Sequence, residues 1–119
     1  MNIDRLDATA RMCDAVAYGQ LVFVSGQVPA TIDAPIEQQT EEVLARLDAM
    51  LARAGSDKSC LLTVTIYLCD FRHYAGMNVA WDKWVDPENP PARDCFKVEL
   101  ANPGWKVEIV ANAVRRQRG

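Results

Sequence analysis

At 119 residues the chain is expected to form one domain over 1–119, and with half its residues hydrophobic it can build a real core. A net charge of −3 argues against a general polyanion binder, so nucleic acid is not an expected partner. Four scattered cysteines without a C-x-x-C and a single histidine make a zinc site or a disulfide framework a poor fit, so neither metal nor cofactor is expected.

No apolar stretch follows Met1-Asn2-Ile3-Asp4-Arg5 as a signal peptide would require, and no apolar run approaches the ~18 residues of a membrane span. A cytoplasmic chain with free thiols is the simplest reading. Residues 1–10 show no period and read as a tethered end. Residues 11–19 alternate loosely, Tyr18-Gly19-Gln20 reads as a tight turn with Gly19 at positive φ, and Leu21-Val22-Phe23-Val24-Ser25-Gly26 reads as a buried strand. A hairpin follows. Gly26 either lets a ligand or a neighbouring chain approach the backbone or simply ends the strand.

After a short loop, Asp33 is placed to cap a helix with Pro35 in its first turn. Ile36, Thr40, Val43, Leu44, Leu47, Met50 and Leu51 recur at helical spacing, and Ala54-Gly55 ends the helix. Residues 60–68 read as a strand with Leu62, Val64, Ile66 and Leu68 on an apolar face and Thr63, Thr65 and Tyr67 on a mixed one. Cys60 and Cys69 read as packing residues. Asp70 is placed to cap a second helix bearing Tyr74, Met77, Asn78, Trp81, Trp84 and Val85, ended by Asp86-Pro87. Asn78 interrupts an apolar stripe and requires a partner, either a local backbone group or a pocket. His73 reads as surface.

Pro90-Pro91 introduces the most informative stretch. In an extended run from Ala92, Arg93, Cys95 and Lys97 share one face, and Asp94, Phe96 and Val98 the other. The strand is either a solvated edge or the carrier of an anion clamp, since a guanidinium matches a carboxylate. Asn102-Pro103-Gly104-Trp105 reads as a type II turn. Residues 106–114 form the last strand, with Val107, Ile109, Ala111 and Ala113 opposite Lys106, Glu108, Val110 and Asn112. Paired with 92–100 across a short connection, it would bring Glu108 to the face of Arg93 and Cys95. Arg115-Arg116-Gln117-Arg118 reads as a solvated tail.

The order ββαβαββ predicts an α+β two-layer sandwich, a mixed sheet with two helices on one face. The other face would carry Arg93, Cys95, Glu108, Thr63, Thr65 and Tyr67, a mixture often buried against another subunit. Arg93 can hold a substrate carboxylate and Glu108 can position or deprotonate a water. Cys95 lacks a partner base, though Arg93 can lower its pKa. Phosphate loops, dinucleotide fingerprints and a Ser/His/Asp set are missing, leaving a cofactor-free reaction on a small anion. The structural alternative is an Arg93–Glu108 ion pair at a subunit interface.

Gly19-Gln20-Leu21-Val22-Phe23-Val24-Ser25-Gly26-Gln27-Val28-Pro29 resembles the opening motif of the RidA/YjgF family. Glu41-Glu42-Val43-Leu44, Thr65-Ile66-Tyr67-Leu68-Cys69-Asp70, Met77-Asn78-Val79-Ala80-Trp81, Pro91-Ala92-Arg93-Asp94-Cys95 and Lys106-Val107-Glu108-Ile109 are similar to its later motifs, so the resemblance covers about residues 11–115. The loop before Ile36 and Trp81-Asp82-Lys83-Trp84-Val85 are most similar to the YoaB-like branch. The resemblance implies a chorismate-mutase-like fold and a homotrimer with clefts between subunits. It implies cofactor-free hydrolysis of enamines and imines, such as 2-aminoacrylate and 2-imino acids, to 2-oxo acids and ammonia. In that role Arg93 would clamp the substrate carboxylate and Glu108 would orient the water. Cys95 would line the pocket, Asn78 would support it, and Ser25 and Gly26 would form its floor.

Two departures stand out. Met12 occupies the place where the deaminase branch often has a tyrosine, which removes a hydroxyl from the expected pocket, and Asp94 follows Arg93 in place of Ser or Thr. A non-catalytic, regulatory binder of small carboxylates is the alternative. The ribonuclease activity ascribed to some relatives sits poorly with the net charge.

Overall fold

The computed structural model describes residues 2–116. Its strands are β1 (Ile3–Leu6), β2 (Ala15–Tyr18), β3 (Leu21–Gln27), β4 (Leu61–Leu68), β5 (Ala92–Lys97) and β6 (Val107–Val114), with helices α1 (Ile36–Arg53) and α2 (Tyr74–Trp84). They form one six-stranded sheet in the order β1-β2-β3-β6-β4-β5. All neighbours are antiparallel except β4 and β5, which are parallel. Both helices cover one face, giving the expected α+β sandwich with one more strand at its start. That strand, β1, is short and mostly exposed, and its two apolar residues, Ile3 and Leu6, stand three apart and so fall on opposite faces, which is why residues 1–10 carry no alternating signal.

Alternation along the strands builds the core. Ala15 and Ala17, Val22 and Val24, Val64, Ile66 and Leu68, and Val107, Ile109, Ala111 and Ala113 all point to the helices. The α1 stripe of Val43, Leu44, Leu47 and Leu51 meets them, and each fully buried aliphatic side chain contributes about 1.5–3 kcal/mol. The first residue of β4 departs from the expected pattern. A register shift between Leu61 and Thr63 turns Leu61 inward and leaves Leu62 45% exposed.

Helix α1 ends as expected. Gly55 takes φ +82° beyond Ala54, and the amides of Gly55 and Ser56 donate to the carbonyls of Ala52 and Leu51. Its start differs, because Asp33 itself lies at φ +61° and caps nothing; Pro35 occupies the capping position. The turn at 102–105 closes through the Trp105 amide on the Asn102 carbonyl, but Gly104 has no positive φ, so it is not type II. Glycine is needed there for space: a Cβ would lie 2.2 Å from Ile32 Cγ2.

Gln39 is the one fully buried residue of α1 outside the expected stripe that is also fully hydrogen-bonded. Its amide donates to the Thr31 and Gly104 carbonyls and its Oε1 accepts from the Lys106 amide, tying the loop before α1 to the start of β6. Gln39→Ala strands these buried backbone groups and is expected to cost about 2–4 kcal/mol, read as a lower urea midpoint with unchanged slope.

Arg115 and Arg116 are not a solvated tail. Arg115 donates to the Ala54 and Gly19 carbonyls and pairs with Asp4 at 2.7 Å, and Arg116 pairs with Asp57. The rest of that basic cluster, 117–118, lies outside the described residues. No helix among the described residues is long and apolar enough to cross a membrane.

Candidate functional site

The chain's strongest polar constellation forms where β5 meets α2. Strands β4 and β5 are linked through α2, and their parallel register sets Arg93 beside Val64 and Cys95 beside Ile66. Val64 and Ile66 face the helices, so Arg93 and Cys95 do too. Because β5 is the sheet's edge, the helical layer only partly covers it and a charged group is tolerated. Tyr74, Asn78 and Trp81 follow one another at helical spacing on α2 and meet the Arg93 guanidinium. Its Nη1 donates to Asn78 Oδ1 at 2.7 Å and its Nη2 to Tyr74 Oη at 3.2 Å. The guanidinium carbon lies 5.3 Å from the Trp81 ring centroid and 5.9 Å from that of Tyr74.

Every one of these partners is neutral, and no carboxylate among the described residues pairs with Arg93. The expected alternative of an Arg93–Glu108 ion pair is therefore not made within the chain. A cavity of about 500 Å³ lies against the guanidinium, lined by Phe71, Tyr74, Arg93, Asp94 and Cys95. A hollow of about 560 Å³ elsewhere, between Cys69, Lys97 and residues 98–105, is slightly larger. Its one cation, Lys97, has no hydrogen-bond partner among the described residues to fix it, so the organised chemistry is at Arg93. Burial pushes the Cys95 thiol up, and the opposing pull of Arg93 is the smaller effect. Cys95 is thus a wall of the cavity, not an activated thiol.

Glu108 lies elsewhere. Strand β6 pairs with β3 and β4, not with β5, because residues 98–106 carry the chain past β4. Glu108 sits opposite Tyr67 and between the buried Val107 and Ile109, which points it to the open face. Arg93 and Glu108 consequently occupy opposite faces of the sheet, which corrects the expectation that they share one. No side chain among the described residues donates to Glu108, and burial alone holds its carboxyl above the ordinary glutamate range.

Beside Glu108, β3 bulges between Val24 and Gln27, and Ser25 and Gly26 occupy the bulge. A Cβ on Gly26 would meet Glu108 Oε2 at 2.1 Å, so what approaches this glycine within the chain is the glutamate. Ser25 donates from its amide and hydroxyl to the Asp14 carbonyl. That anchors the loop bearing Met12, which is 51% exposed and fixed by Thr9. Gly26→Ala is expected to displace the Glu108 side chain and to impair any reaction that uses it more than it lowers the melting temperature, as parallel activity and unfolding measurements would record.

The sequence-predicted residues thus form two groups. Arg93, Cys95 and Asn78 meet at the β5 edge; Glu108, Ser25 and Gly26, with the Met12 loop beside them, meet on the open face. Tyr74 and Trp81 belong to the first group, although their spacing alone reads as core. The signal was the shared helical face of 74, 78 and 81 with a polar residue at its centre. His73, read as surface, has a buried Nε2 without a partner, and burial together with the nearby Arg72 and Lys106 charges lowers its pKa. Among the described residues no His, Cys, Asp and Glu cluster has the makings of a metal site.

A family model described as Endoribonuclease L-PSP matches residues 2–115. A RutC family protein of Haemophilus ducreyi is 43% identical over 111 residues, covering 93% of this chain and 95% of its own. The RutC family protein YoaB of Escherichia coli is 43% identical over 109 residues, covering 92% of this chain and 95% of its own. Among solved structures, a YjgF-family protein of Neisseria meningitidis superposes with a TM-score of 0.95 at 43% identity, over 99% of this chain and 98% of that one. The motifs, the sandwich and these near full-length matches agree: the chain belongs to the YjgF/RutC family, the family of the Endoribonuclease L-PSP model.

Proposed function

We propose that the protein hydrolyses reactive enamine and imine intermediates, 2-aminoacrylate and small 2-imino acids, to 2-oxo acids and ammonia without a cofactor. The observation that carries this reading is Arg93: a fixed cation, stacked and hydrogen-bonded only to neutral groups, facing a cavity. Such a group is prepared for an anion that the chain does not itself supply. With the substrate carboxylate on Arg93, water adds to the imine carbon, giving a carbinolamine. Collapse of that carbinolamine breaks the C–N bond and releases ammonia. Glu108 takes a proton from the water and passes it to the nitrogen as the carbinolamine forms, then takes the carbinolamine O–H proton and hands it to the departing nitrogen as the C–O double bond forms, a double role that a raised carboxyl pKa favours.

Because the two residues face opposite sides of the sheet, Arg93 of one subunit works with Glu108 of a neighbour in a homotrimer. The open face supports assembly: Tyr18, Leu21, Phe23 and Phe96 lie on it, each 42–51% exposed and uncovered within the chain. An RNA-cleaving reading has less support, since Arg53, Arg115 and Arg116 are each tied to an aspartate.

The test generates a 2-imino acid in situ with an amino-acid oxidase and follows ammonia release with and without the protein. Acceleration over the spontaneous rate is expected. Binding of a 2-oxo acid without acceleration would replace the hydrolase with a carboxylate-binding protein.

A further inference from the structure

We propose that the Tyr74 hydroxyl is a second donor to the ligand carboxylate, working beside Arg93; this rests on the reading that a carboxylate docks on Arg93. Tyr74 is the first residue of α2, is 42% exposed and lines the Arg93 cavity. Its oxygen accepts from Arg93 Nη2 at 3.2 Å. A phenol that accepts in this way still has its own proton to donate. No acceptor among the described residues takes that proton, so it is available to the cavity.

The arrangement is directional. Asn78 takes one terminal nitrogen of the guanidinium and Tyr74 the other. Among the described residues the second N–H of each terminal nitrogen and the Nε–H have no partner, and the one on Nη2 shares its nitrogen with the bond to the phenol. A carboxylate that engages them brings one oxygen to guanidinium hydrogens and can present the other to the Tyr74 O–H. Electron density drawn from Tyr74 Oη toward Arg93 also makes its proton a better donor. Among the expected pocket positions Met12 offers no hydroxyl, and Tyr74 supplies one from a different element of the fold.

The test is titration calorimetry of the full chain with 2-oxobutanoate, a stable stand-in for the imino acid, comparing wild type, Tyr74→Phe and Arg93→Ala. Tyr74→Phe keeps the ring against the guanidinium and removes only the hydroxyl. It is expected to raise Kd roughly tenfold, the usual effect of one hydrogen bond to a charged group. In turnover, KM should rise with kcat nearly unchanged, because the bond forms equally in ground and transition states. Wild-type affinity in Tyr74→Phe alongside lost binding in Arg93→Ala overturns the role of the hydroxyl and leaves the Arg93 anchor standing. Unchanged binding in both variants overturns the two together.

Discussion

Arg93→Ala is expected to lower kcat/KM for a 2-imino acid by roughly 10²- to 10³-fold, the scale of removing one partner from a desolvated charge pair. The loss should be one of function, not of folding. The side chain is only half-buried, and its contacts with Tyr74 and Trp81 are cation–π contacts that contribute about 0.5–1 kcal/mol each at such sites. Arg93→Lys should recover little, because an ammonium lacks the planar fork that Asn78 and Tyr74 orient. Steady-state kinetics beside thermal melts separates the two effects. A variant that melts near wild type and still turns over would remove Arg93 from the site.

Glu108→Gln is expected to cut kcat by about 10²- to 10³-fold, the usual contribution of a positioned general base. Its effect on stability has the opposite sign. Burial raises the folded-state pKa of Glu108, so its contribution to stability is fully present below the unfolded pKa and is lost as pH rises through the folded one. At neutral pH the ionised carboxylate is therefore a destabilising group, and the glutamine variant should melt at the same temperature or higher. Activity runs the other way, because the base works only when ionised. The acid limb of the wild-type pH profile should rise with a midpoint above the ordinary glutamate value, and Glu108→Gln should flatten it. A profile that keeps its acid limb in the variant would assign that limb to another group.

The parts of the fold written in local periodicity were legible. The α1 stripe of Val43, Leu44, Leu47 and Leu51, the turn at Gly19, the glycine stop at Gly55 and the alternation of Val107, Ile109, Ala111 and Ala113 all stand as the sequence implies. What was not legible depends on partners far away in sequence. Nothing near Arg93 says that β5 runs parallel to β4, yet that pairing alone turns Arg93 toward the helices. Nothing near Glu108 says that β6 inserts between β3 and β4. The roles of Arg115 and Arg116 are set by Asp4 and Asp57, and Leu61 replaces Leu62 in the core because of a bulge that composition does not mark. The candidate residues were thus identifiable by type, while their division between two faces was not. That division is what makes a cleft between subunits a physical requirement of the proposed reaction, where the resemblance alone had only implied one.

This requirement is tested most directly by mixing two inactive proteins. Arg93→Ala and Glu108→Gln chains are unfolded together in equal amounts, refolded as one pool, and assayed for imine hydrolysis. If each site takes Arg93 from one subunit and Glu108 from the next, random assembly into a cyclic trimer gives about a quarter of the sites both wild-type residues. The pool should then recover about a quarter of wild-type turnover, although each parent alone keeps about a hundredth or less. A co-refolded pool as inactive as its parents, with assembly verified by light scattering, would contradict a site shared between subunits.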